Sequence, residues 1–204
     1  VCSSPERFLR LHGDRVETKP IKGTRPRSVD PARDRALAEE LRTSAKDRAE
    51  NVMIVDLLRN DLGKCCVPGS IEATKLFAIE SFASVHQLVS TVEGRLAPGR
   101  DALDLVAACF PGGSITGAPK VAAMQVIEEL EPQRRSIYCG CIGYIGFDGD
   151  MDLNIAIRTL VQRGDYVYTW AGGGVVADSN VDAEYQESFD KAAAMLAVLE
   201  TQAS

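Results

Sequence analysis

Residues 137–170 read IYCGCIGYIGFDGDMDLNIAIRTLVQRGDYVYTW. The apolar runs IYCGCIGYIGF, LNIAIRTLV and YVYTWAGGGVV (the last reaching residue 176) are separated by DGD and RGD, turns that favour tight hairpins. The stretch therefore predicts successive antiparallel strands. Toward the N-terminus, a helix is predicted to end near Pro132, preceded by a Gly/Pro loop, FPGGSITGAPK (110–120), and a helix over 101–109. Residues 71–96 predict strands. Asp30-Pro31 offers an N-cap and a first-turn proline. Helical sequence then runs to about Leu62, with a break near Thr43-Ser44. Pro5 to Thr18 predicts a strand pair turning at HGD (12–14). Toward the C-terminus, the segment from Asp182 predicts an amphipathic helix, with Asp182 as N-cap and Ala192, Met195, Leu196 and Leu199 on its inner face. The fold class is α+β, antiparallel β-sheet with helices packed on the outside.

The chain has 204 residues, 45% hydrophobic, with a formal charge of −6. That is enough for a sizeable core. A net acidic chain without a basic stretch is a poor nucleic-acid binder, and no apolar run is long enough to span a bilayer. The first residues, VCSSPERF, form neither a signal nor a transit peptide, and they open without Met, as if in mid-domain. The six cysteines form no CxxC, and with two histidines they do not make a zinc site. They read as reduced, mostly buried thiols, with Cys139 and Cys141 facing the same way on one strand. This predicts an intracellular, cytoplasmic protein, or a plastid one in a eukaryote.

Two acidic pairs stand at helical spacing. In SAKDRAENVMIVDLLRND, Ser44 is a candidate N-cap, and Asp47 and Glu50 share a helix face. In DAEYQESFDKAAAMLAVLE, Glu184 and Glu187 repeat that spacing. Carboxylates near helix N-termini are favoured by the helix dipole alone. Two matched pairs also suit Mg²⁺, which takes one or two carboxylates together with an anionic substrate. Spacing leaves open whether the two helices meet.

FPGGSITGAPK precedes a helix, so its backbone N–H groups could receive an anion, although it is not a Walker A loop. It could equally be a tight loop before a Pro119 helix start. AGGGVVADS (171–179) offers bare backbone to a ligand, or marks a bulge. Arg158 lies in a predicted apolar strand and needs an anionic partner. Tyr138 begins the preceding strand. His86 sits among apolar neighbours, where a satisfied core histidine is the more frequent outcome. KPIKGTRPR (19–27) places Lys22 in a cation-rich turn.

PIKGTRPR, KDRAENVMIVDLLRND, SVHQLVSTVEG, PGGSITGAPK, YCGCIGYIGFDGDMDLNIAIRT and AGGGVVADSNVDAEYQES, in that order, resemble the chorismate-binding enzymes. That family includes synthases of anthranilate, aminodeoxychorismate, isochorismate and salicylate. The resemblance implies its fold, chorismate as substrate and Mg²⁺ as cofactor. For the aminating members it also implies ammonia from a glutamine amidotransferase subunit or fused domain. Anthranilate synthases carry Ala in place of Lys22, and isochorismate and salicylate synthases also lack lysine there. The PIKGT form resembles the aminodeoxychorismate branch, in which this lysine is the nucleophile. A lysine attacks as the free amine, favoured by desolvation and by neighbouring cations. Lys19, Arg25 and Arg27 could supply that field.

The resemblance further implies roles. Glu6 would be the general acid at the C4 hydroxyl. Glu50 and Glu187 would ligate Mg²⁺ directly, with Asp47 and Glu184 behind them. Tyr138, Arg158 and the Gly173–Gly174 backbone would hold the enolpyruvyl carboxylate. His86 and Ser114 would line the ring, with Gly23 and Thr24 beside the lysine. Family members are longer, and the chain resembles their C-terminal half. Residues 1–204 are thus expected to form one C-terminal portion of a catalytic domain. A chorismate-binding module without turnover is the out-of-class alternative.

Overall fold

The computed structural model describes residues 1–177 and 179–202. Strand β1 (Arg7–His12) turns at Gly13-Asp14 into β2 (Arg15–Lys19), and after Pro20 the chain continues as β3 (Ile21–Pro26). Two helices follow, α1 (Pro31–Thr43) and α2 (Ala45–Leu62). Then come β4 (Glu72–Ser81), β5 (Val85–Arg95), α3 (Ala102–Cys109), a 3₁₀ turn at Gly113–Ile115 and α4 (Lys120–Leu130). The chain ends with β6 (Cys141–Ile145), β7 (Met151–Ile155), β8 (Leu160–Arg163), β9 (Tyr166–Thr169) and α5 (Val181–Gln202).

Seven strands form one antiparallel sheet in the order β3-β5-β2-β1-β7-β6, with β4 on the other edge of β5. β2 and β3 pair in succession with β5, from Arg15↔Arg95 to Pro26↔Val85. Pro20, which has no N–H to donate, interrupts this run where its carbonyl accepts from Ser90. β8 and β9 form a separate hairpin. The main core joins Phe8, Leu9 and Leu11 of β1 to Val55 and Leu62 of α2, Leu105 of α3 and Met151 of β7. The α+β class holds, with antiparallel sheet and helices.

Local signals act as expected at the helix starts. Asp30 caps α1 by accepting from the Ala32 N–H, and Ser44 breaks the helical run and accepts from the Asp47 N–H at 3.3 Å. The C-terminal helix differs. Asn180, not Asp182, accepts from the Ala183 N–H at 3.0 Å, and the helix begins at Val181. Asp182 is left in the first turn, where the dipole still favours it.

LNIAIRTLV is two strands rather than one. β7 stops at Ile155, and Arg158 adopts φ +49° before β8 begins at Leu160. A guanidinium inside the apolar sheet would lose its hydration, and this bend lets it reach the Lys191 carbonyl on α5 instead. IYCGCIGYIGF becomes a strand only at Cys141, and Tyr138 and Cys139 lie in a turn, from which the Cys139 N–H still donates to the Ala156 carbonyl. Cys139 has φ +65°, so it does not share a strand face with Cys141. The glycines after Trp170 form no strand. On α5, Met195 is buried and Ala192 and Leu199 are half-buried, but Leu196 is exposed. All six cysteines are free, four of them buried. No described helix is long and apolar enough to cross a membrane.

Candidate active site

β3 delivers Lys22 to the N-terminal half of α2. Its Nζ lies 2.9 Å from Glu50 Oε1 and 3.4 Å from the Ser114 carbonyl, and both side chains of the ion pair are largely covered. Gly23 makes this approach possible. It has φ +83°, and a Cβ there would stand 2.7 Å from Leu41 Cδ1 and 2.8 Å from Asp47 Cγ. Thr24 follows on β3 and is exposed.

Glu6 precedes β1 and is buried, anchored where its carbonyl accepts from the Ile155 N–H. Burial raises its carboxyl above the ordinary glutamate value. Hydrogen bonds to the Ser114 side chain and the Ile21 backbone, and the charge of Lys22, pull the other way without cancelling it. Glu6, Lys22 and Ser114 therefore meet at one place. A carboxyl held high in this way can carry a proton to a neighbouring atom.

Both acidic pairs border the glycine loop. Lys46 of α2 lies 3.7 Å from Glu184 of α5. The glycine loop runs between them. A Cβ at Gly174 would be 2.7 Å from Glu50 Oε1, and one at Gly173 would be 3.0 Å from Glu184 Oε2 and 3.6 Å from Glu187 Oε1. A side chain there would have to displace the carboxylate ends.

Each of the four carboxylates carries a cation of the chain. Asp47 takes Arg25 at 3.4 Å, Glu50 takes Lys22, Glu184 takes Lys46, and Glu187 takes Lys191 at 2.5 Å. Among the described residues no three His, Cys, Asp or Glu side chains stand grouped to chelate an ion. Glu50 borders Gly174, and Glu184 and Glu187 border Gly173, hard oxygen donors of the kind Mg²⁺ takes one or two at a time.

Arg158, half-buried, donates to the Lys191 carbonyl at 2.5 Å, and burial lowers its pKa against the opposing influence of Tyr138. Tyr138 stacks on Trp170 with centroids 6.0 Å apart, and burial raises its phenol pKa. A Cβ at Gly172 would lie 3.7 Å from the Tyr138 hydroxyl, so Tyr138 and the glycine loop adjoin. Lys191, which also donates to the Gly172 carbonyl at 3.1 Å, links this group to Glu187.

His86 lies elsewhere in its bonding. Its Nδ1 meets Ser81 Oγ at 2.8 Å and its Nε2 meets Asp34 at 3.1 Å, so neither ring nitrogen is engaged with Lys22 or Glu50. It ties β5 to α1. The expected cationic field around Lys22 is also not delivered. Lys19 is paired with Glu80, Arg25 with Glu40 and Asp47, and Arg27 with Asp34. Each is neutralised by a carboxylate, which the sequence reading of the turn left out. That reading also missed Lys191, although Glu187 and Lys191 stand four apart on a helix, the spacing of an ion pair. Lys46 and Trp170 carried no local signal.

The α+β fold thus brings a lysine beside a buried acid, and both acidic pairs beside one stretch of bare glycine backbone. The chain belongs to the chorismate binding enzyme family, which it matches over residues 1–197. It is 57% identical over 197 residues to aminodeoxychorismate synthase component 1 of Salmonella typhimurium, covering 97% of this chain and 43% of that protein. It is also 49% identical over 196 residues to anthranilate synthase component 1 of Streptomyces coelicolor, covering 96% and 38%. The crystal structure of anthranilate synthase component I from Streptococcus pneumoniae superposes with a TM-score of 0.85 at 42% identity, covering 94% of this chain and 42% of that one. The chain thus spans less than half the length of these relatives.

Proposed function

We propose that these residues are the C-terminal catalytic portion of an aminodeoxychorismate synthase component I, which converts chorismate and ammonia to 4-amino-4-deoxychorismate on the route to p-aminobenzoate and folate. The observation that carries the reading is the meeting of Lys22 with Glu6, Ser114 and Glu50. The likeness to the Salmonella protein supports it. The likeness to the Streptomyces anthranilate synthase supports the family chemistry but not the branch.

In this reading Arg158, Tyr138 and the Gly173–Gly174 backbone receive the enolpyruvyl carboxylate. Glu6 gives its proton to the C4 hydroxyl, which leaves as water while the neutral Lys22 amine bonds to C2 and the ring double bond shifts. Ammonia then bonds to C4, the double bond shifts back, the C2–lysine bond breaks to release the amine, and the new C4 ammonium returns a proton to the Glu6 carboxylate. Overall an amine replaces a hydroxyl, and Lys22 is restored. Glu50 and Glu187 would hold Mg²⁺, with Asp47 and Glu184 behind them. When bound, the ion supplies positive charge for the ring carboxylate. A carboxylate that takes the ion gives up its lysine, Lys22 from Glu50 and Lys191 from Glu187. Ammonia comes from a glutamine amidotransferase, separate or fused.

The test is product identity. Chorismate, an ammonium salt and Mg²⁺ are incubated with the chain, and the product is read by chromatography and mass. Aminodeoxychorismate is expected. Anthranilate or isochorismate would move the chain to another branch, and Mg²⁺-dependent chorismate binding without product would make it a binding module.

A further inference from the structure

Asp61, in the last turn of α2, is 1% exposed, and its carboxylate holds two lysines: Lys64 at 2.8 Å and Lys120 at 2.5 Å. Neither lysine stops there. Lys120 Nζ donates to the Cys109 carbonyl at 2.9 Å, and Lys64 Nζ to the Ala108 carbonyl at 3.4 Å. Those carbonyls belong to the last turn of α3, where helix carbonyls lack intrahelical partners. Lys120 is itself the first residue of α4. One buried carboxylate thus gathers both ends of the loop over residues 110–119, the exit of α3 and the entry of α4.

That loop carries Ser114, which touches both Lys22 and Glu6. Its base is packed tightly, since a Cβ at Gly112 would stand 2.6 Å from Ile155 Cδ1 and one at Gly113 2.7 Å from Leu57 Cδ2. Its far end is not. α4 buries none of its residues, and a cavity of about 540 Å³ opens between the loop, Met124 and Ile127 of α4, and Tyr138. Apolar burial does not fix where α4 begins; the Lys120 tie holds its entry, while at its far end Arg135, paired with Glu131, donates to the Ile115 carbonyl at 2.6 Å.

We propose that Asp61 and Lys120 are positioning residues that hold the 110–119 loop so that Ser114 meets Lys22 and Glu6. The functional part of this inference rests on the reading of those groups as the reacting site. Lys64 is the internal control, because it shares Asp61 but does not reach α4.

The test compares Lys120→Met and Lys64→Met with the parent chain by amide hydrogen exchange and by steady-state kinetics. In Lys120→Met, amides of residues 112–118 should exchange about tenfold faster or more while those of β5 stay as in the parent. Its kcat should fall by about tenfold or more with KM for chorismate within about threefold, as for a misplaced rather than a missing contact. Lys64→Met should move neither. If Lys120→Met does not fold because Asp61 is left buried beside one exposed lysine, the Asp61→Asn/Lys120→Met double variant removes both charges and should show the same exchange and kinetics. Parental exchange over 112–118 would overturn the inference, as would faster exchange with parental kcat. A parent chain that turns over no chorismate would refute the functional reading, and the exchange comparison would then decide the tie alone.

Discussion

The Nζ of Lys22 and Oε1 of Glu50 form an ion pair at 2.9 Å, joining the third strand of the sheet to the second helix. The same glutamate faces the glycine loop, across which Glu184 and Glu187 lie with lysines of their own. Both acidic pairs are therefore neutralised from within. A cation brought to Glu50 and Glu187 competes with ammonium groups fixed by the fold.

Glu50→Gln removes one of the two carboxylates proposed to hold Mg²⁺ beside the glycine loop while preserving shape. Calorimetric titration with Mg²⁺ should show affinity weakened by about tenfold or more, the scale of losing support at a metal site. Parental affinity would place the ion elsewhere.

The burial of Glu6 makes stability pH-dependent in a defined direction. An exposed glutamate titrates near about 4.3, and the folded chain holds Glu6 above its ordinary value. Between the two the folded chain binds more protons, so this group's contribution is full below the unfolded value and is lost as pH rises through the folded one. Glu6→Gln lacks the effect. Its melting temperature should gain on the parent's as pH rises from about 4 and level off above the folded pKa. Melting curves that keep a constant separation from pH 4 to 8 would show Glu6 to be hydrated.

His86→Ala should cost stability, on the order of 1–3 kcal/mol, because the buried ring gives up its two hydrogen bonds, to Ser81 and Asp34, at about 0.5–1.5 kcal/mol each. Urea unfolding measures it. A variant as stable as the parent that has lost chorismate affinity would instead place the ring at the substrate.

Gly23→Ala should cost about 1–3 kcal/mol through the strained backbone, and further through collision with Leu41 and Asp47. The collision pushes β3 off the helices and moves Lys22, so activity should fall more than unfolding of the variant explains. Crystallography or unfolding that finds Ala accommodated at no cost would contradict the close approach.

The sequence shows what is local. Ser44 and Asp30 act as caps, HGD and DGD turn strands, and Lys22 stands in the PIKGT block, because each depends on near neighbours. Three features escape it. Arg158 leaves its strand for a carbonyl on a distant helix, Asn180 replaces Asp182 as cap, and the glycines after Trp170 stay unpaired. The first depends on where α5 packs, which period and propensity do not encode; the Asn180 cap is a local bond to the Ala183 N–H that the reading of Asp182 passed over. The same limit hides the cation partners of the acidic pairs. Spacing puts Asp47 with Glu50 and Glu184 with Glu187, but only the fold brings Lys46 of α2 against Glu184 of α5.

The most direct test of Lys22 as nucleophile is the intact mass of the chain after incubation with chorismate and Mg²⁺ in the absence of ammonia. The proposed chemistry predicts an added mass of chorismate less one water, located at Lys22 by peptide mapping, lost on addition of ammonia, and absent in Lys22→Ala. Formation of aminodeoxychorismate by Lys22→Ala at the parental rate would contradict it.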